Sequence, residues 1–62
     1  QMGNILRKLR TDQGLSQMAL ASLVDVSRSS IALIESGVNK PSVKLAKKLA
    51  AVFNVNWTIF FE

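Results

Sequence analysis

Apolar side chains recur along this chain at helical rather than alternating spacing. Met2, Ile5, Leu6 and Leu9 fall at i, i+3, i+4 and i+7, with Arg7, Lys8 and Arg10 on the other faces. That spacing predicts a first helix, stopped by Gly14, because a glycine adopts the positive φ that closes a helix without a Cβ clash. Ser16 offers an oxygen to the free amides of a second helix over 17–24, whose Leu20, Ala21, Leu23 and Val24 form an apolar face. Ser27 caps a third helix, from 28 to about 36, closed by Gly37. Lys40-Pro41-Ser42 interrupts the pattern, since proline lacks an amide donor and pushes its predecessor out of the α region. A fourth helix follows over 43–53, with Leu45, Ala46, Leu49 and Phe53 inward and Lys44, Lys47 and Lys48 largely toward solvent. After Asn54, which tolerates the left-handed region, Asn56 caps a last short helix over 57–61. The expectation is an all-α, compact five-helix fold without strands.

Sixty-two residues leave room for one small domain, expected over 1–62, with Gln1 read as an added residue ahead of a natural start at Met2. A chain this short buries about 60% of its unfolded surface and retains roughly 3–5 kcal/mol of net stability. With no Cys, neither a disulfide nor a thiolate metal site can add to that. His and Tyr are also absent, which removes the commonest metal ligand and the usual general base at neutral pH. The four carboxylates, Asp12, Asp25, Glu35 and Glu62, stand singly, with no paired-acid spacing and no glycine-rich phosphate cradle. The chain therefore reads as no enzyme, with no cofactor, metal or small-molecule ligand implied. Its longest apolar run, 49–53, is five residues against the ~20 that a membrane helix requires, and no signal-peptide pattern opens it. A cytoplasmic protein without a membrane partner is expected.

Charge adds a second pattern. Eight Lys and Arg against four Asp and Glu give a formal charge of +4, yet between Thr11 and Asn39 the only cation is Arg28. Basic flanks around a sparsely charged middle suit a protein whose sides touch a polyanion's backbone while its centre is more selective. That centre, 17–35, is a helix, a short turn and a second helix, the arrangement of a helix-turn-helix. Ala21 would sit at the closest approach of the two helices, where a larger side chain would part them. Asp25 occupies a turn position that favours positive φ. With Ile31 and Ile34 set inward beside Val26, 100° per residue puts Arg28, Ser29, Ala32, Leu33 and Ser36 on the outward arc of the third helix. This arc is slim and almost uncharged. It fits a ~12 Å major groove, with Arg28 able to bond guanine bidentately and Leu33 able to pack on a thymine methyl.

The chain resembles the lambda-repressor-like helix-turn-helix family, the Xre and Cro group of phage and mobile-element regulators. The matching residues are Leu6-Arg7-Lys8-Leu9-Arg10, Gly14-Leu15-Ser16-Gln17, Leu20-Ala21, Val26-Ser27-Arg28-Ser29-Ser30-Ile31, Ile34-Glu35-Ser36-Gly37, Lys40-Pro41-Ser42 and Val55-Asn56. Each is weak alone; in this order they are specific and cover nearly the whole chain. The resemblance implies a transcriptional regulator, a repressor, that binds a palindromic double-stranded DNA operator as a homodimer with its third helix in the major groove. It makes Gln17 the residue that contacts a phosphate and braces the first recognition residue. Arg28, Ser29, Ala32, Leu33 and Ser36 then fall on the base-reading face. Asn39, Lys40 and Lys44 fall in or beside the loop that grips the backbone, and Arg10 and Glu35 match a structural pair joining the first helix to the end of the third. Asp25 and Asn54 depart from the family's glycines, each at a cost on the order of 1 kcal/mol, and Leu33 replaces a side chain that is polar in many relatives.

Plainer roles stand beside these. The three lysines of the fourth helix can be an ordinary solvated face, with Lys44 alone, nearest the helix start, singled out for DNA. Arg28 can be a surface cation, and Ser29 and Ser30 surface fillers. Trp57, Ile59, Phe60 and Phe61 put four large apolar residues into five positions, more than a short helix can turn inward. Trp57 and Phe60 are expected to take the core, which leaves Ile59 and Phe61, with the edge of Trp57, as a dimer surface. Two rival functions share the fold: a protein-interaction module, antitoxin-like, that uses Leu33 and the aromatic tail, and a sequence-neutral architectural DNA binder.

Overall fold

The computed structural model describes the backbone of residues 2–62 and the side chains from Ile5 onward. Gln1, and the assignment of the Met2 side chain to the first apolar face, lie outside the described residues. The elements are α1 (Met2–Asp12), α2 (Gln17–Leu23), α3 (Arg28–Glu35), α4 (Val43–Phe53) and a 3₁₀ turn (Trp57–Phe61). Four α-helices therefore replace the expected five. The last segment is too short to offset the cost of α-helix nucleation, and such pieces take i→i+3 bonds. Here the Ile59 amide donates to the Asn56 carbonyl at 3.2 Å. Three residues per turn set Trp57 and Phe60 on one side, and Phe60 is fully buried there.

One device starts α2, α3 and α4. The hydroxyls of Ser16, Ser27 and Ser42 accept from the amides of Ala19, Ser30 and Leu45 at 2.9, 3.1 and 3.1 Å, each satisfying an amide with no partner inside its helix. One device also ends all four helices. A residue at positive φ (Gly14, Asp25, Gly37 or Asn54) is followed by an apolar residue (Leu15, Val26, Val38 or Val55). The amide of that apolar residue donates back five positions, to the carbonyls of Arg10, Ala21, Leu33 and Ala50, at 3.0–3.1 Å. These are Schellman closures, and they dispose of carbonyls that would otherwise lack partners. Asp25 at φ 60 and Asn54 at φ 55 carry out the job of glycine with a Cβ present.

Leu6 of α1, Leu20, Ala21 and Val24 near α2, Ile31 and Ile34 of α3, Ala46, Leu49, Ala50 and Phe53 of α4, and Phe60 form the core. Ala21 is 2% exposed, and its small side chain lets α2 and α3 approach. Leu23, expected inward, is 60% exposed. At 100° per residue it lies roughly 100° from the centre of the Leu20–Ala21–Val24 stripe, outside the buried sector. Val24 and Ser36, expected as helical residues, are the C-caps of α2 and α3. No helix among the described residues is long and apolar enough to cross a membrane.

Candidate nucleic-acid interface

α3 is divided lengthwise. Ile31, Ile34 and Glu35 are buried, while Arg28, Ser29, Leu33 and Ser36 are exposed and Ala32 is half-buried. Leu33 is 39% exposed, an apolar side chain on a face otherwise made of hydroxyls and one guanidinium. Ser36 donates its hydroxyl to the Leu33 carbonyl at 3.0 Å, which orients its oxygen as an acceptor. Ser30, expected as a surface filler, is half-buried and pairs its hydroxyl with that of Ser27 at 3.0 Å.

Behind this face lies a polar cluster centred on Glu35, whose side chain is fully buried. Arg10 holds the carboxylate from two nitrogens, Nε to Oε2 at 2.6 Å and Nη2 to Oε1 at 3.0 Å. Its remaining Nη1 donates to the Leu15 carbonyl at 2.8 Å. Arg7 adds a second cation, with Nε 3.6 Å from Oε1 and Nη2 donating to the Glu35 carbonyl at 3.4 Å. Gln17 donates Nε2 to Oε1 at 3.1 Å and with its Oε1 accepts from Arg28 Nη1 at 3.0 Å. Burial alone pushes the Glu35 carboxyl up, but the bonds from Arg10 and Gln17 and the charges of Arg10 and Arg7 outweigh it and hold the group below the ordinary carboxylate range. The bond to Glu35 likewise raises Arg10, against the opposing effect of its own burial.

The sequence singled out Arg10, Glu35, Gln17 and Arg28, and these four stand in one continuous chain of bonds. Arg7 was missed in this role, although its position one turn before Arg10 puts both on one side of α1. Asn39 and Lys40 are exposed in the segment between α3 and α4, and Lys44 is exposed in the first turn of α4. Lys44 shares an open depression of about 230 Å³ with Val26, Ser42, Leu45 and Lys48, beside the turn that joins α2 to α3. Lys48, expected with Lys47 on a solvated face, lines this depression because its i+4 spacing from Lys44 puts both on one stripe. Lys47 goes elsewhere, its ammonium 5.4 Å from the centre of the Trp57 ring.

At the terminal turn Trp57 and Ile59 are half-buried and Phe61 is 44% exposed. Trp57, expected in the core with Phe60, instead covers its edge and meets Phe61 edge-on, with ring centres 6.0 Å apart and planes at 78°. Among the described residues no group of three or more carboxylates, histidines or cysteines could hold a metal ion.

A family profile described as helix-turn-helix matches residues 6–60. YqaF of Bacillus subtilis strain 168, an uncharacterised HTH-type transcriptional regulator, is 39% identical over 57 residues, 92% of this chain and 75% of its own. Among solved structures, the N-terminal DNA binding domain of SinR from Bacillus subtilis superposes with a TM-score of 0.88 at 26% identity, over 98% of this chain and 90% of that one. A transcriptional regulator of Vibrio cholerae superposes at 0.82 with 33% identity, over 97% of this chain but only 34% of its own.

Proposed function

This chain belongs to the lambda-repressor-like helix-turn-helix family, and from that premise we propose that it is a sequence-specific double-stranded DNA-binding transcriptional regulator, a repressor, acting as a homodimer with α3 in the major groove. One observation carries the reading. The exposed face of α3 offers one guanidinium, the hydroxyls of Ser29 and Ser36 and one Leu, a slim surface with both donors and a methyl-bearing group for base edges. Arg28, Ser29, Ala32, Leu33 and Ser36 read bases. Gln17, Asn39, Lys40 and Lys44 engage the phosphates on either side and fix the register of α3.

A palindromic operator follows from pairing two copies. The chain spans 24 × 24 × 19 Å, so two copies centred one DNA turn, about 34 Å, apart come within side-chain reach of each other. Phe61 and the exposed edges of Trp57 and Ile59 supply the apolar contact between them. The test is selection of bound sites from a random DNA pool, followed by titration against salt. A palindromic consensus is expected. Arg28→Ala should cost ~1–3 kcal/mol at one base position, and Lys40→Ala should weaken all sequences alike and lower the salt slope by about one. No enrichment of any site, or equal and sequence-blind losses from both substitutions, would count against the reading and favour a protein-interaction or architectural role.

A further inference from the structure

The bond chain behind α3 has a polarity, and the polarity has a source. A glutamine amide donates from one end and accepts at the other. Glu35, buried and ionised, can only accept, and it takes the Gln17 Nε2–H at 3.1 Å. A reversed amide would set Gln17 Oε1 against Glu35 Oε1, two acceptors facing each other in a buried site. The acceptor end of Gln17 is therefore turned toward the start of α3, where Arg28 Nη1 donates to it at 3.0 Å.

Glu35 can impose this because it is itself immobile. Arg10 grips it with two bonds and also binds the Leu15 carbonyl, two residues before Gln17. The start of α2 and the end of α3 are tied to one guanidinium. The Arg28 guanidinium is planar, so pinning Nη1 orients the whole fork and leaves Nη2 and Nε as the paired donors that guanine O6 and N7 accept.

We infer that Glu35 is a positioning residue for base discrimination, acting through the Gln17 amide to aim Arg28 at a guanine, although Glu35 is buried behind the exposed face. The inference rests on the DNA-reading role proposed above for Arg28 and goes beyond it, because it makes the buried core tie a determinant of specificity as well as of stability. Residue 28 has to be a donor: the buried carboxylate leaves only an acceptor facing it.

The test uses the whole folded chain and the operator selected above. In the free protein at neutral pH, the Gln17 side-chain amide is expected to give one downfield, exchange-protected NH resonance, in contrast to the exposed Gln13. Glu35→Gln and Gln17→Met should each reduce the preference for guanine at the single Arg28-read position by about tenfold, with the preferences at other positions and the salt slope unchanged; the lost Gln17 phosphate contact lowers affinity for every sequence alike and so cancels from each preference ratio. The double variant should lose no more than either alone, since both break one path. A purely structural Glu35 would instead weaken binding to every sequence equally, and its effect would add to that of Gln17→Met. If Glu35→Gln does not fold, Gln17→Met, which leaves the Arg10 tie intact, and the amide resonances decide the matter. A Gln17 amide that exchanges like Gln13, or full guanine preference in Gln17→Met, overturns the inference. Failure to select any operator overturns the DNA reading and the discrimination role together, while the amide resonances still report the Glu35–Gln17 bond.

Discussion

Replacing Glu35 by Ala tests how much of this small fold hangs on one carboxylate. The side chain is fully buried and accepts two bonds from Arg10 and one from Gln17. Its removal leaves the Arg10 guanidinium, whose side chain is only 13% exposed, without a counter-charge. Breaking one side of such a pair costs about 3–5 kcal/mol, because the remaining charge stays desolvated. A domain of this size has roughly 3–5 kcal/mol in all. Glu35→Ala should therefore be largely unfolded at 25 °C, as read by far-UV circular dichroism and Trp57 fluorescence in urea. The paired replacement Arg10→Met with Glu35→Leu removes both charges, and it should fold with a urea midpoint well above that of Glu35→Ala, short of full recovery because the Leu15 carbonyl and the Gln17 amide lose their partners. A loss of less than about 1 kcal/mol in Glu35→Ala, in the range of exposed pairs, would refute the argument that burial makes this tie expensive to break.

Stability should depend on pH through the same carboxyl. Its folded value lies below the ordinary range, so as pH falls past about 4.3 the unfolded chain takes up a proton that the folded chain does not. Stability complete at neutral pH should then decline, down through the lower folded value, and urea midpoints in the Glu35→Gln variant should decline less. Asp25 sits at φ 60; Asp25→Gly should stabilise by about 0.5 kcal/mol, since relief of ~1–2 kcal/mol of left-handed strain is partly offset by ~0.4–1 kcal/mol of unfolded-chain entropy. Asp25→Ala, with the strain retained and the polar side chain lost, should move the melting temperature the other way, and a shared sign would contradict this account. Ser27→Ala removes the cap that accepts from Ser30 and should cost about 1 kcal/mol of unfolding free energy. The same substitution should lower DNA affinity only as far as it frays the start of α3.

How much was legible depended on the range of the interaction concerned. The caps at Ser16, Ser27 and Ser42 and the stops at Gly14 and Gly37 could be read directly, because each is made between residues within a few positions of one another. Asp25 and Asn54, with no glycine to mark them, were recognisable as residue types that tolerate the left-handed region at positions where a turn needs it. Leu23 was misplaced because the 17–24 stripe is too short to define its own centre, and which sector of α2 is covered is settled by α3. The terminal segment was assigned helix correctly but the wrong kind, since five residues leave the choice between i→i+3 and i→i+4 bonds to the packing of Phe60.

By itself, the sequence determined where the helices start, where they stop to within a residue, that α2 and α3 form a helix-turn-helix, and which side of α3 faces outward, since all of these follow from local bonding rules and the 3.6-residue period. Only the tertiary structure decided that Arg7, Arg10, Leu15, Gln17, Arg28 and Glu35 meet in one bonded path, that Lys44 and Lys48 lie beside Val26 of the turn, and that Lys47 goes instead to Trp57. Those contacts join positions on different elements, and a contact of that kind exists only once packing has fixed how the helices cross.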